Sequence, residues 1–385
     1  MIDNIVYLDN NATTQVDERV LAEMLPFFRQ HYGNPSGRYY PQAEIAKKAV
    51  EASRIQCAKL LGAKPHEIIF TSGATESNNL AIKGYCFANA TKGKHIITSL
   101  IEHRSVLDPL KDLEKQGYNV TYLKPDHYGS VSSEKIENVI TKDTIFVTIM
   151  LANNELGTIN PIDKIAEVCQ KKNVVFHCDA TQGIGRIPIH LEKIPIDLLS
   201  FSGHKIYGPK GIGGLYIRKR IPRIKIHPLI NGGEQEDGLR SGTLNVPGIV
   251  GLGYACELLE KSMIEESRGL SVLSEKLIKS LSSVSGVSFN NHPTERLQGT
   301  LNFSIDGINA ESLLSRISNK VALSSGSACS STRAEPSHVL KGIGLTDSTA
   351  KSTIRASIGR FNTENEIEYA SKVLIQEIKY LRNLL

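Results

Sequence analysis

Paired cysteines are absent from this sequence. No two cysteines form a CxxC pair, and the six lie far apart, at Cys57, Cys86, Cys169, Cys178, Cys256 and Cys329. Such spacing argues against a disulfide framework and against a zinc site. We therefore predict no metal site, and we expect the cysteines to be free thiols, as in a reducing cytosol. Cys57 and Cys178 fall at core positions of a predicted helix and a predicted strand.

A leader segment and a long apolar run are also missing. The opening residues, MIDNIVYLDNNATT, contain no basic region followed by an apolar one, so no signal peptide is predicted. The longest strongly apolar stretch lies near IFVTIMLA and is far too short to cross a bilayer. We therefore expect a cytoplasmic protein without a membrane partner.

Neither charge nor composition is extreme. The chain carries 45 basic and 40 acidic side chains, a net charge of +5, and no nucleic-acid-binding motif. Direct binding of nucleic acid is therefore not expected. The apolar content of 40% is that of an ordinary globular protein, and the length of 385 residues favours a large and a small domain.

Strand-like runs alternate with helix-like runs from about residue 65 to 220. The strand candidates are EIIFTS, HIITS, NVTYLK, TIFVTIML, VVFHCD, DLLSFS and GGLYIR. Amphipathic stretches such as VLDPLKDLEKQG lie between several of them, which predicts an α/β fold with a mostly parallel seven-stranded sheet covered by helices. Only a short glycine-rich stretch precedes GGLYIR, so an antiparallel strand is possible there.

The pattern changes after RSGTLNVPG. A long helix is predicted from near Val250 to about Ser282, followed by strands in GVSFN, TLNFSI and STIRASI. Thr363 and Glu366 form a capping box for a last helix. We predict a smaller C-terminal α+β domain. The predicted division is an N-terminal arm at 1–15 that packs with the small domain, a large domain at 16–250 and the small domain at 251–385.

Polar residues cluster where the predicted parallel strands end, and ligands bind at such strand ends. The Ser-Gly-Ala-Thr turn of IIFTSGATESNN resembles a phosphate cradle, although Thr75 is equally compatible with a simple helix cap. Asp179 ends the strand of VVFHCDATQG, where a buried carboxylate is costly unless a cation meets it. Lys205 follows the next strand. A pyridoxal phosphate (PLP) enzyme needs such a pair: an amine that bonds to the cofactor and an acid for the ring nitrogen.

Cys329 stands in SSGSACSSTRAEPSHV, among serines and small residues. The segment has no apolar periodicity and is typical of a loop. By itself it favours an incidental small residue over a reactive thiol.

Seven motifs occur in an order that resembles a known family: TSGATESNN, EHRSVLD, NNELGT, DATQ, SFSGHKIYGPKGIG, RSGT and SSGSAC. In these motifs the chain resembles the cysteine desulfurases of the NifS/IscS type, which are PLP enzymes of the class V aminotransferase group. The resemblance runs from YLDNNATT to IRASIGRF and implies the PLP transferase fold type I.

The resemblance implies that Lys205, His103 and Cys329 are catalytic, that Asp179 binds the cofactor and that Arg355 binds the substrate. Lys205 would bind PLP covalently and Asp179 would pair with its ring nitrogen. His103 would stack on the ring and assist proton transfer. Arg355 would hold the carboxylate of the substrate L-cysteine. Cys329 would take up the sulfur as a persulfide and leave L-alanine, and the sulfur would then pass to an acceptor protein such as an iron–sulfur scaffold.

The resemblance also implies binding roles. The phosphate of PLP would be held by Ala74, Thr75, Ser202 and His204. Gln182 would bind the phenolic oxygen of the ring, and Asn154 would lie near that oxygen and the substrate. Thr243 resembles a residue that the partner subunit lends to the phosphate, which implies a homodimer.

Other functions remain open at this point. A selenocysteine lyase or a class V transaminase would keep Lys205 and Asp179, although a transaminase has no use for Cys329. A sulfur carrier that uses Cys329 alone would need no lysine. The favoured destination of the sulfur is iron–sulfur cluster assembly. The alternatives are thiolation of tRNA and phosphorothioation of DNA. Housekeeping desulfurases of the family that the chain resembles usually continue past the last helix into a tail that helps dock the scaffold, whereas this sequence stops at Leu385, which leaves the acceptor open.

Overall fold

The structure is a computed structural model that describes residues 5–325 and 336–384. The strands in these ranges are β1 (Val6–Tyr7), β2 (Ile68–Thr71), β3 (His95–Ser99), β4 (Asn119–Leu123), β5 (Thr144–Thr148), β6 (Val175–Asp179), β7 (Leu198–Ser202), β8 (Gly213–Ile217), β9 (Val287–Phe289), β10 (Thr300–Ile305), β11 (Val321–Ala322), β12 (Ser324–Ser325) and β13 (Thr353–Ser357).

The α-helices of the same ranges are α1 (Glu18–Arg29), α2 (Pro41–Leu61), α3 (Ala74–Asn79), α4 (Tyr85–Ala88), α5 (Arg104–Lys115), α6 (Ser133–Val139), α7 (Ile162–Lys171), α8 (Val246–Ser282), α9 (Ala310–Ile317), α10 (His338–Gly342), α11 (Asp347–Lys351) and α12 (Glu364–Arg382). A π-helical turn, Leu80–Gly84, joins α3 to α4.

The large sheet has seven strands in the order β2-β8-β7-β6-β5-β3-β4. All of its strands run parallel to one another except β8, which is antiparallel to both β2 and β7. The predicted α/β fold is therefore confirmed, and GGLYIR forms the antiparallel strand.

Both faces of this sheet are covered, which explains its continuous apolar strands. In β5 and β6, Val147 and Phe176 face one core cluster, while Phe146 and Val175 face the cluster on the opposite side. This alternation follows the two-residue period of a strand. Every residue of β5, β6 and β7 is buried. The polar residues at the strand ends are therefore the ones that can reach a ligand.

A second sheet lies in the C-terminal part, with antiparallel strands in the order β12-β13-β10-β9. The N-terminal arm joins this part: β1 pairs in parallel with β11, and the Asn10 N–H donates to the Ser357 carbonyl at 3.1 Å. The capping box of Thr363 and Glu366 is present at the start of α12, as predicted.

Helix α8 connects the two cores. Its 37 residues cross the predicted domain boundary at 250/251 without interruption. Leu252 and Leu259 pack into the core of the large sheet, whereas Leu270 and Leu277 pack into the C-terminal core. Among the described residues, no helix combines the length and apolar character needed to span a membrane.

Candidate active site

A cavity of about 540 Å³ opens at the edge where β5, β6 and β7 end. This volume is typical of small-molecule sites. It brings together most of the residues singled out in the sequence: Ala74, Thr75, His103, Asn154, Asp179, Gln182, Ser202, His204, Lys205 and Arg355.

Asp179 is the last residue of β6 and is 5% exposed. One carboxylate oxygen accepts from the Asn78 side-chain amide at 2.8 Å, and the other accepts from the Thr181 N–H at 3.0 Å. These two donors fix the orientation of the carboxylate at the cavity, and its remaining lone pairs can bind a cationic ligand atom.

His103 precedes α5 and caps it through Nδ1, which accepts from the Ser105 N–H at 3.1 Å. The Ser105 hydroxyl lies 2.8 Å from the same nitrogen and itself accepts from Asn78. The hydroxyl proton therefore points to Nδ1, which leaves the proton of the neutral imidazole on Nε2. Burial lowers the pKa of His103, the Asp179 charge opposes this, and the Lys205 charge adds to it.

Lys205 lies in a short 3₁₀ turn directly after β7. Its Nζ donates to the carbonyl oxygens of Asn11 and Ala12 at 2.5 and 2.6 Å. The amine is thus held by the N-terminal arm, on the floor of the cavity formed by the large sheet.

The turn before α3 forms a cradle at one end of the cavity. Gly73 adopts φ 151° and ψ 176°, a backbone conformation that is essentially restricted to glycine. A Cβ on Gly213 of the adjacent strand would lie 2.7 Å from the Gly73 Cα. Only glycine at position 213 therefore lets β8 pass this close to the turn. Gly73 is the N-cap of α3, so the simple-cap interpretation of Thr75 is wrong. The first N–H groups of a helix lack intrahelical partners and can bind an anion.

Neutral and charged groups surround this cradle. Burial and the nearby Lys205 and Lys210 lower the pKa of His204 to about 4, so its ring is neutral near pH 7. Burial raises the pKa of Glu76, but hydrogen bonds from Arg240 and Ser72 outweigh this and leave the pKa lowered. Glu76 pairs with Arg240 at 2.9 Å, which ties the loop of the RSGT motif to α3.

Arg355 lies on β13 and reaches the opposite end of the cavity. Its guanidinium donates to Asp9 at 2.6 Å and to the Asn154 carbonyl at 3.0 Å, and its Nε is buried without a hydrogen-bond partner. Gln182 donates to the Asn11 carbonyl at 3.0 Å, and its side-chain oxygen is also buried and unpartnered.

Two predicted residues do not join this group. Thr243 is exposed and does not line the cavity of its own chain. Cys329 lies outside the described residues. The five cysteines within the described ranges are all buried, and none lines the cavity. Burial raises the pKa of Cys86 and of Cys169 to about 12, so these thiols are poor nucleophiles.

The segment that follows residue 335 is attached to residues that follow strands β3 and β5 of the large sheet. Ser337, the N-cap of α10, donates through its hydroxyl to the Glu155 carboxyl at 2.6 Å. His338 donates through Nε2 to the Glu102 carbonyl at 2.9 Å. Burial raises the pKa of Glu155 to about 7, although Ser337 and Arg355 act in the opposite direction.

Three functional positions were missed in the sequence analysis. Asn78 and Ser105 connect Asp179 to His103, and Asn11 receives Lys205. All three lie within motifs that carry the family resemblance or begin it, namely TSGATESNN, EHRSVLD and YLDNNATT. Their neighbouring polar residues were a signal, but the partners come from elements distant in the chain.

The donors and acceptors of the cavity suit PLP. Asp179 offers an anion for a protonated ring nitrogen, and the cradle at Gly73 offers N–H groups for a phosphate. The unpartnered oxygen of Gln182 and Nε of Arg355 are buried polar atoms that need a ligand or water. The residues present therefore fit this cofactor together with an amino acid carboxylate.

Comparison with known proteins gives a family match over most of the chain. The family model "Aminotransferase class-V" matches residues 6–370. The chain is 46% identical over 380 residues to cysteine desulfurase IscS of Rickettsia akari (strain Hartford), which covers 98% of this chain and 92% of the relative.

Solved structures agree in fold. A NifS-like protein superposes with a TM-score of 0.91 at 40% identity, covering 98% of this chain and 100% of the other. SspA in complex with cysteine superposes with a TM-score of 0.83 at 39% identity, covering 93% of this chain and 100% of the other.

Proposed function

This chain belongs to the aminotransferase class-V family and is a PLP-dependent cysteine desulfurase of the NifS/IscS type, and on that premise we propose that Cys329 carries the sulfur from L-cysteine to an acceptor for iron–sulfur cluster assembly. The observation that carries the proposal is the cavity lined by Lys205, Asp179 and Arg355, which contains none of the described cysteines.

PLP, when bound, supplies an electron sink for the carbon skeleton of the amino acid. Asp179, oriented by Asn78 and Thr181, would hold the protonated ring nitrogen. Gln182 would face the phenolic oxygen. The phosphate would be held by Ala74, Thr75, Ser202 and the neutral His204.

The remaining side chains act on the substrate. Arg355 would bind the L-cysteine carboxylate through its guanidinium, whose buried Nε is unpartnered. Lys205 would bind PLP covalently and, once released, take the proton from the substrate Cα. His103 would present its Nε2 proton to the cavity. Asn154 would line the substrate side, since its carbonyl already receives Arg355.

Cys329 would perform the sulfur transfer. Its thiolate attacks the substrate sulfur, so that an S–S bond forms as the C–S bond of the substrate breaks. The carbon keeps the electron pair and takes up a proton, which gives L-alanine and a persulfide on Cys329. The buried positions of Cys57, Cys86, Cys169, Cys178 and Cys256 support this assignment, because a buried thiol cannot meet the substrate.

A homodimer would complete the site. Thr243 is exposed and lies outside the cavity of its own chain, as expected of a residue that serves the partner subunit. Helix α1 supports an interface as well, because it exposes the apolar side chains of Leu25 (47%) and Phe28 (59%). The cytoplasmic location remains a prediction.

The test is the Cys329→Ser variant. Because serine is a far weaker nucleophile towards sulfur, the variant should bind PLP and L-cysteine but release almost no alanine. The wild type, given L-cysteine without reductant, should gain one sulfur mass on the peptide that contains Cys329. Alanine formation at the wild-type rate, or an extra sulfur on any of the five buried cysteines, would contradict the proposal.

A further inference from the structure

Asn11 is a densely connected polar residue beside the cavity, and no role had been predicted for it. The residue is 1% exposed. Its backbone carbonyl accepts from the Lys205 amine at 2.5 Å and from the Gln182 amide at 3.0 Å. Its N–H donates to the Ser357 hydroxyl at 2.9 Å.

The side chain of Asn11 uses both its donors and its acceptor. Nδ2 donates to the Asn154 carbonyl at 3.1 Å and to the Thr300 hydroxyl at 3.0 Å. Oδ1 accepts from Arg186 at 2.8 Å. An amide is required here, because a carboxylate could not donate to Asn154, and a hydroxyl could not span these partners.

These contacts connect the two ends of the cavity. The Asn154 carbonyl receives both the Asn11 amide and the Arg355 guanidinium. The path from the Lys205 amine to the arginine that would bind the substrate carboxylate therefore runs through Asn11 and Asn154. A shift of the Asn11 peptide would change the separation of Lys205 and Arg355.

The carbonyl pair also affects the charge of Lys205. Two carbonyl oxygens at 2.5 and 2.6 Å favour the ammonium over the neutral amine. A base that takes a proton from carbon becomes an ammonium, so the carbonyls stabilise the state of Lys205 that follows proton transfer.

We propose that Asn11 is a positioning residue for the desulfurase reaction: its carbonyl, with that of Ala12, receives the Lys205 ammonium, and its side-chain amide fixes that carbonyl relative to the substrate end of the cavity. The inference rests on the proposed role of Lys205.

The experiment compares Asn11→Ala and Asn11→Asp with a matched control, Asn10→Ala. Asn10 is also buried in the arm, but it bonds to Ser357 and Asn362 and does not line the cavity. The readout is the pH-dependent rate at which formaldehyde and cyanoborohydride methylate Lys205 in the cofactor-free full chain, with the exposed Lys210 as internal standard.

Both Asn11 variants should make the Lys205 amine more reactive, to different degrees. Asn11→Ala should speed methylation of Lys205 and lower kcat, each by about tenfold, since about one charge-assisted hydrogen bond is weakened. Asn11→Asp keeps an acceptor for Arg186 but loses the donor to the Asn154 carbonyl, so it should also speed methylation, by less than Asn11→Ala. Asn10→Ala should change neither.

Equal methylation of Lys205 in all three variants would overturn the inference, and the Asp variant decides alone if the Ala variant does not fold. Borohydride reduction of the PLP-loaded wild type separates this result from a failure of the proposed function. A label on Lys205 leaves the proposed function standing, whereas a label on Lys210 removes the basis for both.

Discussion

At the scale of single residues, the chemistry depends on how one buried carboxylate is held. Asp179 is oriented by the Asn78 amide, and the same amide contacts Ser105, whose hydroxyl meets His103. A cation-binding acid and a neutral imidazole are thus connected through two uncharged side chains. Any change of Asp179 acts on this connected set.

Asp179→Asn should retain the fold and part of the PLP binding but lose most of the turnover. The amide keeps the shape of the carboxylate and removes its charge, which leaves a buried cation unpaired. Loss of such a buried pair costs about 3–5 kcal/mol, which corresponds to a loss of roughly two-hundredfold to five-thousandfold in rate. Steady-state alanine formation measures the effect, with the exposed Asp163→Asn as control. Near-normal turnover would rule out this role for Asp179.

Sequence reasoning located residues that end strands and missed residues that bridge elements. Asp179 and Lys205 could be predicted because each directly follows an apolar run, and strand ends meet at one edge of a parallel sheet. Asn11 and Asn78 could not, because their partners are 194 and 101 residues away along the chain, at Lys205 and Asp179. Only the folded chain brings these amides to their partners.

At the scale of elements, the start of α10 is attached to residues that follow strands of the large sheet by two polar contacts and an apolar cluster. Ser337 bonds to Glu155 and His338 to Glu102, while Leu340 packs against Ile101. Strand β12, which precedes the undescribed residues, instead pairs with β13 of the C-terminal sheet. The described residues on either side of 326–335 therefore contact different sheets: Ser325 pairs with the C-terminal sheet, whereas Ser337 and His338 bond to residues that follow strands of the large sheet.

Glu155→Gln should remove a pH-dependent loss of stability. The folded pKa of Glu155 is about 7, above its ordinary value of 4.5. Between these values the folded state keeps a proton that the unfolded state releases, so stability falls as pH rises from about 4.5 to about 7. The difference reaches about 3 kcal/mol. The substituted amide would carry no charge at any pH and could still accept from Ser337.

Thermal unfolding at pH 5 and pH 8 measures this effect. The Tm of the Glu155→Gln variant relative to wild type should rise between pH 5 and pH 8. Ser337→Ala is the control, because it keeps the titrating carboxyl and removes a hydrogen bond that lowers its pKa; this variant should retain the pH-dependent loss of stability. The same relative Tm at both pH values would contradict the prediction.

At the scale of the whole molecule, two elements link the parts of the chain that carry the two cores. Helix α8 contributes to both cores, and the N-terminal arm pairs with β11. The sequence pattern indicated a change near residue 250. The position at which α8 passes from one core to the other could not be predicted, because it depends on tertiary packing and the helical pattern continues through it without a break.

The homodimer predicts recovery of activity in mixed subunits. Thr243→Ala and Lys205→Ala each damage a different chain's contribution to the site, so some mixed dimers should regain one site with both groups. Alanine formation should rise above that of either parent after subunit exchange. Exchange demonstrated by mass, with activity no higher than the parents, would contradict a shared site.

The contacts of Asn11 also determine when the enzyme can first exist during its synthesis. Its N–H meets a hydroxyl 346 residues away, at Ser357, and closing a loop of that length costs about 5 kcal/mol in chain entropy. A nascent chain that has been synthesised as far as β8 already contains Lys205 and Asp179. It still lacks β13, which carries Arg355 and the Ser357 hydroxyl that holds the arm. The chain can therefore bind the substrate carboxylate through Arg355 only after β13 has been synthesised, and the reaction cannot begin earlier.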